Sequence, residues 1–166
     1  MMFKNLSKNF LINLLLVLSI CLFDRASKIY VVYLDKKIFG YKIYSSKFLD
    51  IQLVWNEGIA FGLLSFNEST LYNLLTVLIA LVILAIFFMS IQSEGLKKYS
   101  LLMILGGALG NLFDRVFYES VPDFIDFHVG NFHWFIFNVA DIFITLGVIF
   151  MIFLEFTDNS GVRKNE

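Results

Sequence analysis

The chain has 166 residues, of which 58% are hydrophobic and 17% aromatic, and its mean hydropathy is +0.76, far above an ordinary soluble domain with roughly 45–50% apolar residues. A formal net charge of -1, from 13 basic and 14 acidic side chains, gives no electrostatic footprint for nucleic acid, and the single Cys21 excludes an intramolecular disulfide framework. A span needs about 20 apolar residues, so the length holds one bundle of a few membrane helices, read as a single integral membrane domain over 1–166.

In chain order, 10–34 is the first predicted span, entered from a basic start at Lys4 and Lys8. Asp24 and Lys28 inside it are four apart, share a helical face and are placed to pair. A basic start before an apolar core also describes a secretory signal peptide, and Leu18-Ser19-Ile20-Cys21 resembles a lipobox. The bulky Ile20 before the cysteine, the lack of a small-x-small cleavage site and the resumed apolar run at 29–33 favour a retained helix.

Residues 35–69 form the longest stretch outside the membrane. Period-2 alternation over 38–44 and 48–56, with Ile51, Leu53 and Trp55 on one side, predicts a small antiparallel sheet at the membrane surface. It leads into Asn56-Glu57-Gly58-Ile59-Ala60-Phe61-Gly62, where small residues let a backbone approach a ligand closely; alone, Asn-x-Gly is more often a turn. An uncharged span at 71–91, a polar turn at 92–98 and spans at 99–118 and 135–156 complete an all-α polytopic membrane fold of four helices, with a β element between helices 1 and 2. An even number of spans puts both termini on one side. Cations at the termini and in 92–98 point that side to the cytoplasm, but Lys36, Lys37, Lys42 and Lys47 dilute the bias.

The polar residues inside the spans carry the chemistry. Gly106 and Gly110 have the Gly-x-x-x-Gly spacing of close helix contact in lipid. Asn111, Asp114 and Arg115 follow on one face, and Asp114 beside Arg115 reads as a charge pair suited to scaffolding. Asp141 has only apolar neighbours and no cation, so it needs a partner. Two antiparallel helices joined by a 116–138 loop bring Asp123 towards it, and two adjacent carboxylates share a proton as in aspartic proteases. Asp126 competes with Asp123, and spacing does not separate them. Asn138 lies three residues before Asp141, placed to orient a carboxylate or a peptide carbonyl. His128 and His133, read as loop residues without a cysteine, are weak metal candidates, and neither a metal nor a cofactor is expected. The competing classes are a small transporter or ion-conducting bundle, whose paths also use intramembrane Asp and Arg, and a non-catalytic membrane scaffold.

Together, Asp24-x-x-x-Lys28, Asn56-x-Gly58-x-Ala60-Phe61, Gly107-Ala108-x-Gly110-Asn111-x-x-Asp114-Arg115, Asp123-Phe124 and Phe137-Asn138-x-Ala140-Asp141 resemble the bacterial lipoprotein (type II) signal peptidases in order and spacing. That resemblance implies an intramembrane aspartic endopeptidase of the bacterial cytoplasmic membrane, with cytoplasmic termini and a site near the outer face. Its substrates would be prolipoproteins, cut before a diacylglyceryl-modified cysteine. It assigns Asp123 and Asp141 as the catalytic dyad. Asn56, Gly58, Asn111, Arg115 and Asn138 become site support or substrate contacts, Asp114 keeps a scaffolding role, and Asp24 with Lys28 becomes a structural polar pair. Membrane lipids and a monomeric state complete the expectation. Pro122 and Phe113 depart from it, standing where the family usually has aliphatic residues.

Overall fold

The computed structural model describes residues 2–39, 41–58 and 69–162. The expectations placed on 59–64 and on Arg163 and Lys164 lie outside the described residues. Among the described residues four helices form, α1 (Met2–Ile38), α2 (Ser69–Gln92), α3 (Gly95–Tyr118) and α4 (Val139–Val162), and each has the length and composition to cross a membrane. In the apolar windows of α1, α2 and α4 only 17% of residues are buried by protein, against 61% in α3. The reason is composition: leucines, isoleucines and phenylalanines such as Leu22, Ile29, Leu74 and Phe153 point outward, exposed for lipid. The glycines and polar groups of α3 need protein neighbours instead.

Small residues set how closely the helices approach. A Cβ on Gly106 would lie 2.9 Å from Ile20 Cβ of α1, and one on Gly147 of α4 would lie 2.6 Å from Ile104 of α3. Gly106 and Gly110 both face α1, at Ile20 and Asp24, so the helix contact predicted from their spacing is present, while Gly107 meets the Ala140 carbonyl at the start of α4. Apolar side chains fill two cores. Val17, Ile83, Leu102 and Leu105 join α1, α2 and α3, and Val31, Phe124 and Val139 join α1 and α4 to the sheet.

The sheet is antiparallel with strand order β1 (Tyr44–Ser45), β2 (Leu49–Asn56), β3 (Val121–Val129), β4 (Phe132–Phe137). It is larger than the sequence suggests, because the stretch read as a 116–138 loop supplies β3 and β4. Gly130, at φ +60°, turns the chain between them. α4 therefore starts at Val139 rather than 135. At the other end α1 runs on to Ile38, and Phe39 leaves it in the left-handed region, so most of 38–44 is not strand. Between Ile51↔Ile125 and Val54↔Asp123 the register shifts by one extra residue on β2, a β-bulge that bends the strand beside Asp123. Pairing of β3 with β4 starts at Ile125, so Pro122 borders only β2 and its missing N–H interrupts no ladder on the β4 side.

Candidate active site

α1 and α3 end, and α4 begins, at the sheet. A polar network gathers there. Asn138 precedes α4 and caps it: its Oδ1 accepts the Asp141 N–H at 3.2 Å, and Asp141 Oδ2 accepts the Asn138 N–H at 3.1 Å. This is a reciprocal capping box, legible as Asn-x-x-Asp but not read that way from sequence. The Asn138 side chain, fully buried, also donates from Nδ2 to Asp123 Oδ1 at 2.6 Å. One asparagine thus holds both carboxyl groups.

Each acid has a further amide donor. Asn56 Nδ2 donates to Asp123 Oδ2 at 2.8 Å, and Asn111 Nδ2 donates to Asp141 Oδ1 at 2.8 Å. Asn56 is fixed in turn by the Gly58 N–H, which donates to its Oδ1 at 2.9 Å. Arg115 Nη2 donates to the Gly58 carbonyl at 2.6 Å, and Arg115 Nη1 is buried without a hydrogen-bond partner among the described residues. Asn56, Asn111, Arg115, Val121, Asp123, Asn138 and Asp141 line one cleft of about 220 Å3 that opens to the surroundings. Asp123 is only 4% exposed. Burial, and after it the charge of Asp141, push its carboxyl up to about 6.

Beneath the cleft lies a buried charge network. Lys28 Nζ donates to Asp24 Oδ2 at 2.7 Å, Asn111 Oδ1 at 2.9 Å and Asp114 Oδ2 at 2.6 Å. Arg25 Nη1 donates to Asp114 Oδ1 at 2.6 Å. The expected Asp24–Lys28 pair is present. The expected Asp114–Arg115 pair is not: Asp114 turns to cations on α1, and Arg115 turns to Gly58. Helix neighbours at i and i+1 do not face each other, and closely approached α1 offers better partners. Asp24 Oδ1 also accepts the Ala140 N–H at 2.9 Å, tying α1 to the first turn of α4. Gly110 leaves room for this acid, since a Cβ there would lie 2.7 Å from Asp24 Oδ2. Phe113 has a local reason, its ring lying 5.2 Å from the Arg25 guanidinium.

Of the sequence-derived site residues, Asn56, Asn111, Arg115, Asn138, Asp123 and Asp141 share the cleft, Gly58 braces two of them, and Asp24, Lys28 and Asp114 lie beneath. Asp126 belongs elsewhere: three residues beyond Asp123 on a strand, it faces away and its carboxylate meets His133. Arg25 and Val121 were not anticipated. The one sequence signal for Arg25 is its charge, beside Asp24 within an apolar span.

The Signal peptidase (SPase) II family model matches residues 16–157. A lipoprotein signal peptidase of Pelagibacter ubique (strain HTCC1062) is 48% identical over 159 residues, covering 96% of this chain and 95% of the relative. One from Francisella tularensis subsp. novicida (strain U112) is 36% identical over 133 residues, 76% and 83% of the two chains. A solved structure described as a bacterial membrane enzyme is 29% identical and superposes with a TM-score of 0.72 over 90% of each chain. With four membrane-spanning helices, a small antiparallel sheet and this match over most of its length, the chain belongs to the signal peptidase II family of bacterial multi-pass membrane peptidases.

Proposed function

We propose that this protein removes signal peptides from prolipoproteins as an aspartic endopeptidase, cutting before the diacylglyceryl-modified cysteine with Asp123 and Asp141 as its dyad. The observation that carries the reading is that both carboxyl groups line one cleft and each accepts a hydrogen bond from Asn138. Two carboxyl groups facing one cleft, the charge of one acting on the other, hold one proton between them rather than ionising twice. One carboxylate takes a proton from a water, the water oxygen attacks the scissile carbonyl, and the protonated partner donates to the carbonyl oxygen. The tetrahedral intermediate collapses as a proton passes to the leaving amine. Asn56 and Asn138 orient Asp123, Asn111 orients Asp141, and Arg115 Nη1, without a hydrogen-bond partner among the described residues, is placed to meet a peptide carbonyl.

Cleavage in lipid requires water at a site that a membrane-bound helix also reaches. The signal helix enters sideways between spans, and the lipid chains of the cysteine lie along apolar helix faces. The chain works as a single, monomeric membrane domain with cytoplasmic termini and its cleft towards the outer face. The topology supports this arrangement, since the sheet and cleft lie at one end of the bundle and the α2–α3 turn at the other.

Asp123→Asn and Asp141→Asn, made separately and assayed for cleavage of a diacylglyceryl prolipoprotein in detergent or bilayers, test the dyad. Both should abolish cleavage with the fold retained. Cleavage surviving in either variant defeats the assignment.

A further inference from the structure

Outside the cleft, Asp126, His128 and His133 form a set of metal-type donors on the sheet among the described residues, brought together by the β3–β4 pairing. On β3 the two-residue period puts Asp126 and His128 on one face. His133 on β4 is the direct cross-strand partner of His128, and the two imidazoles stack with centroids 5.0 Å apart. One ligand atom from each of the three residues falls within 4.8 Å of the others. His133 Nδ1 lies 2.8 and 3.0 Å from the two Asp126 oxygens, and Asp126 is only 3% exposed.

A second observation is independent of the clustering. The His128 side chain is 10% exposed, and its Nδ1 is buried with no hydrogen-bond partner among the described residues. Asp50 does not satisfy it. Asp50 Oδ2 lies 4.0 Å away, and that carboxylate is taken up by Lys42 and, at 2.6 Å, by Ser45. A buried ring nitrogen on a histidine stacked against His133 calls for a partner that the described residues do not supply.

We propose that Asp126, His128 and His133 bind one divalent transition-metal ion of the zinc class, on the sheet and apart from the cleft. Two imidazoles and one carboxylate suit Zn2+ and disfavour Ca2+ or Mg2+, which take oxygen donors. Tetrahedral Zn2+, with bonds of about 2.0–2.2 Å, holds its ligand atoms roughly 3.3 Å apart. His133 and Asp126 separate slightly, the ion taking the place of the proton between them, and His128 draws in. Three protein ligands leave a fourth position for water. The ion links β3 to β4, whose ends carry Asp123 and lead into Asn138, so it pins the strands that deliver both residues. The proposal does not depend on what the dyad does.

The test uses the full chain in detergent, with any affinity tag removed and adventitious metal stripped. Calorimetric titration with Zn2+ should give one ion per chain. His128→Ala and His133→Ala should each weaken binding at least about tenfold. Co2+ at the same site should show the intensified visible bands of four-coordination, absent from both variants. Saturating Zn2+ should raise the melting temperature of the wild type, as any ligand selective for the folded state does. Equal Zn2+ affinity in the wild type and both variants overturns the proposal. So does a wild-type melting temperature that saturating Zn2+ leaves unmoved, a readout that needs no variant to fold.

Discussion

Asn138 and Asp141 cap one another at the head of α4, each accepting the other's backbone N–H, at 3.2 and 3.1 Å. The same Asn138 donates its side-chain amide to Asp123 at 2.6 Å, so helix start and site share one residue.

Replacing Asn138 separates its two roles. Serine is a competent N-cap, so Asn138→Ala, which also loses the cap, should be about 1 kcal/mol less stable than Asn138→Ser. Serine is too short to reach Asp123. Cleavage should fall on the order of 100-fold, as expected when a reacting group loses its orientation. Thermal unfolding and cleavage rates in the two variants check this, and full activity in Asn138→Ser shows that the Asp123 contact is dispensable.

Acidity at the cleft has a definite sign. Asp123 is raised from 3.8 to about 6 by burial, then by the charge of Asp141. A raised carboxyl stabilises the fold most below its unfolded value near 4, and that contribution is lost as pH rises through about 6. Asp123 gives up its proton as pH rises through about 6, so kcat/KM should begin its alkaline decline there. Asn56 favours the ionised form, and Asn56→Ala should move that limb to higher pH. A limb that stays in place or shifts to lower pH refutes the coupling.

The charge network is a structural risk concentrated in one side chain. Lys28 is fully buried and serves Asp24, Asn111 and Asp114 together. Lys28→Met leaves Asp24 without its cation and Asp114 with Arg25 alone, and should cost about 3–5 kcal/mol. Asp24→Asn should be milder, because an amide oxygen still accepts the Ala140 N–H. Denaturation of the two proteins in detergent compares them, and equal losses contradict the network.

Glycine contacts rank by what they meet. A methyl at Gly107 runs into the Ala140 carbonyl, which is backbone, whereas one at Gly106 meets only the Ile20 side chain. Gly107→Ala should therefore cost about 1–3 kcal/mol and shift the start of α4, reducing cleavage more than Gly106→Ala does. Melting temperatures and activities of both variants test the order.

The sequence alone determined the four spans, because about 20 apolar residues in a row have few other uses, and it marked the polar residues that such segments do not tolerate without cause. Glycine spacing announced close helix contact, and Asn138-x-x-Asp141 carried a cap. Alternation in 121–129, with Gly130-Asn131 between two apolar runs, also signalled a hairpin, but its charged and histidine residues masked it as loop. Tertiary structure decided the partners. Periodicity says which side chains share a helix face but not which helix lies opposite, so Asp114 took Arg25 and Lys28 of α1 instead of its neighbour Arg115. Strand alternation sent Asp126 to the face away from Asp123. The β2 bulge and the α4 cap then brought Asn56 and Asn138 onto Asp123 from segments distant in the chain, a convergence set by the distance at which glycines let α1, α3 and α4 meet.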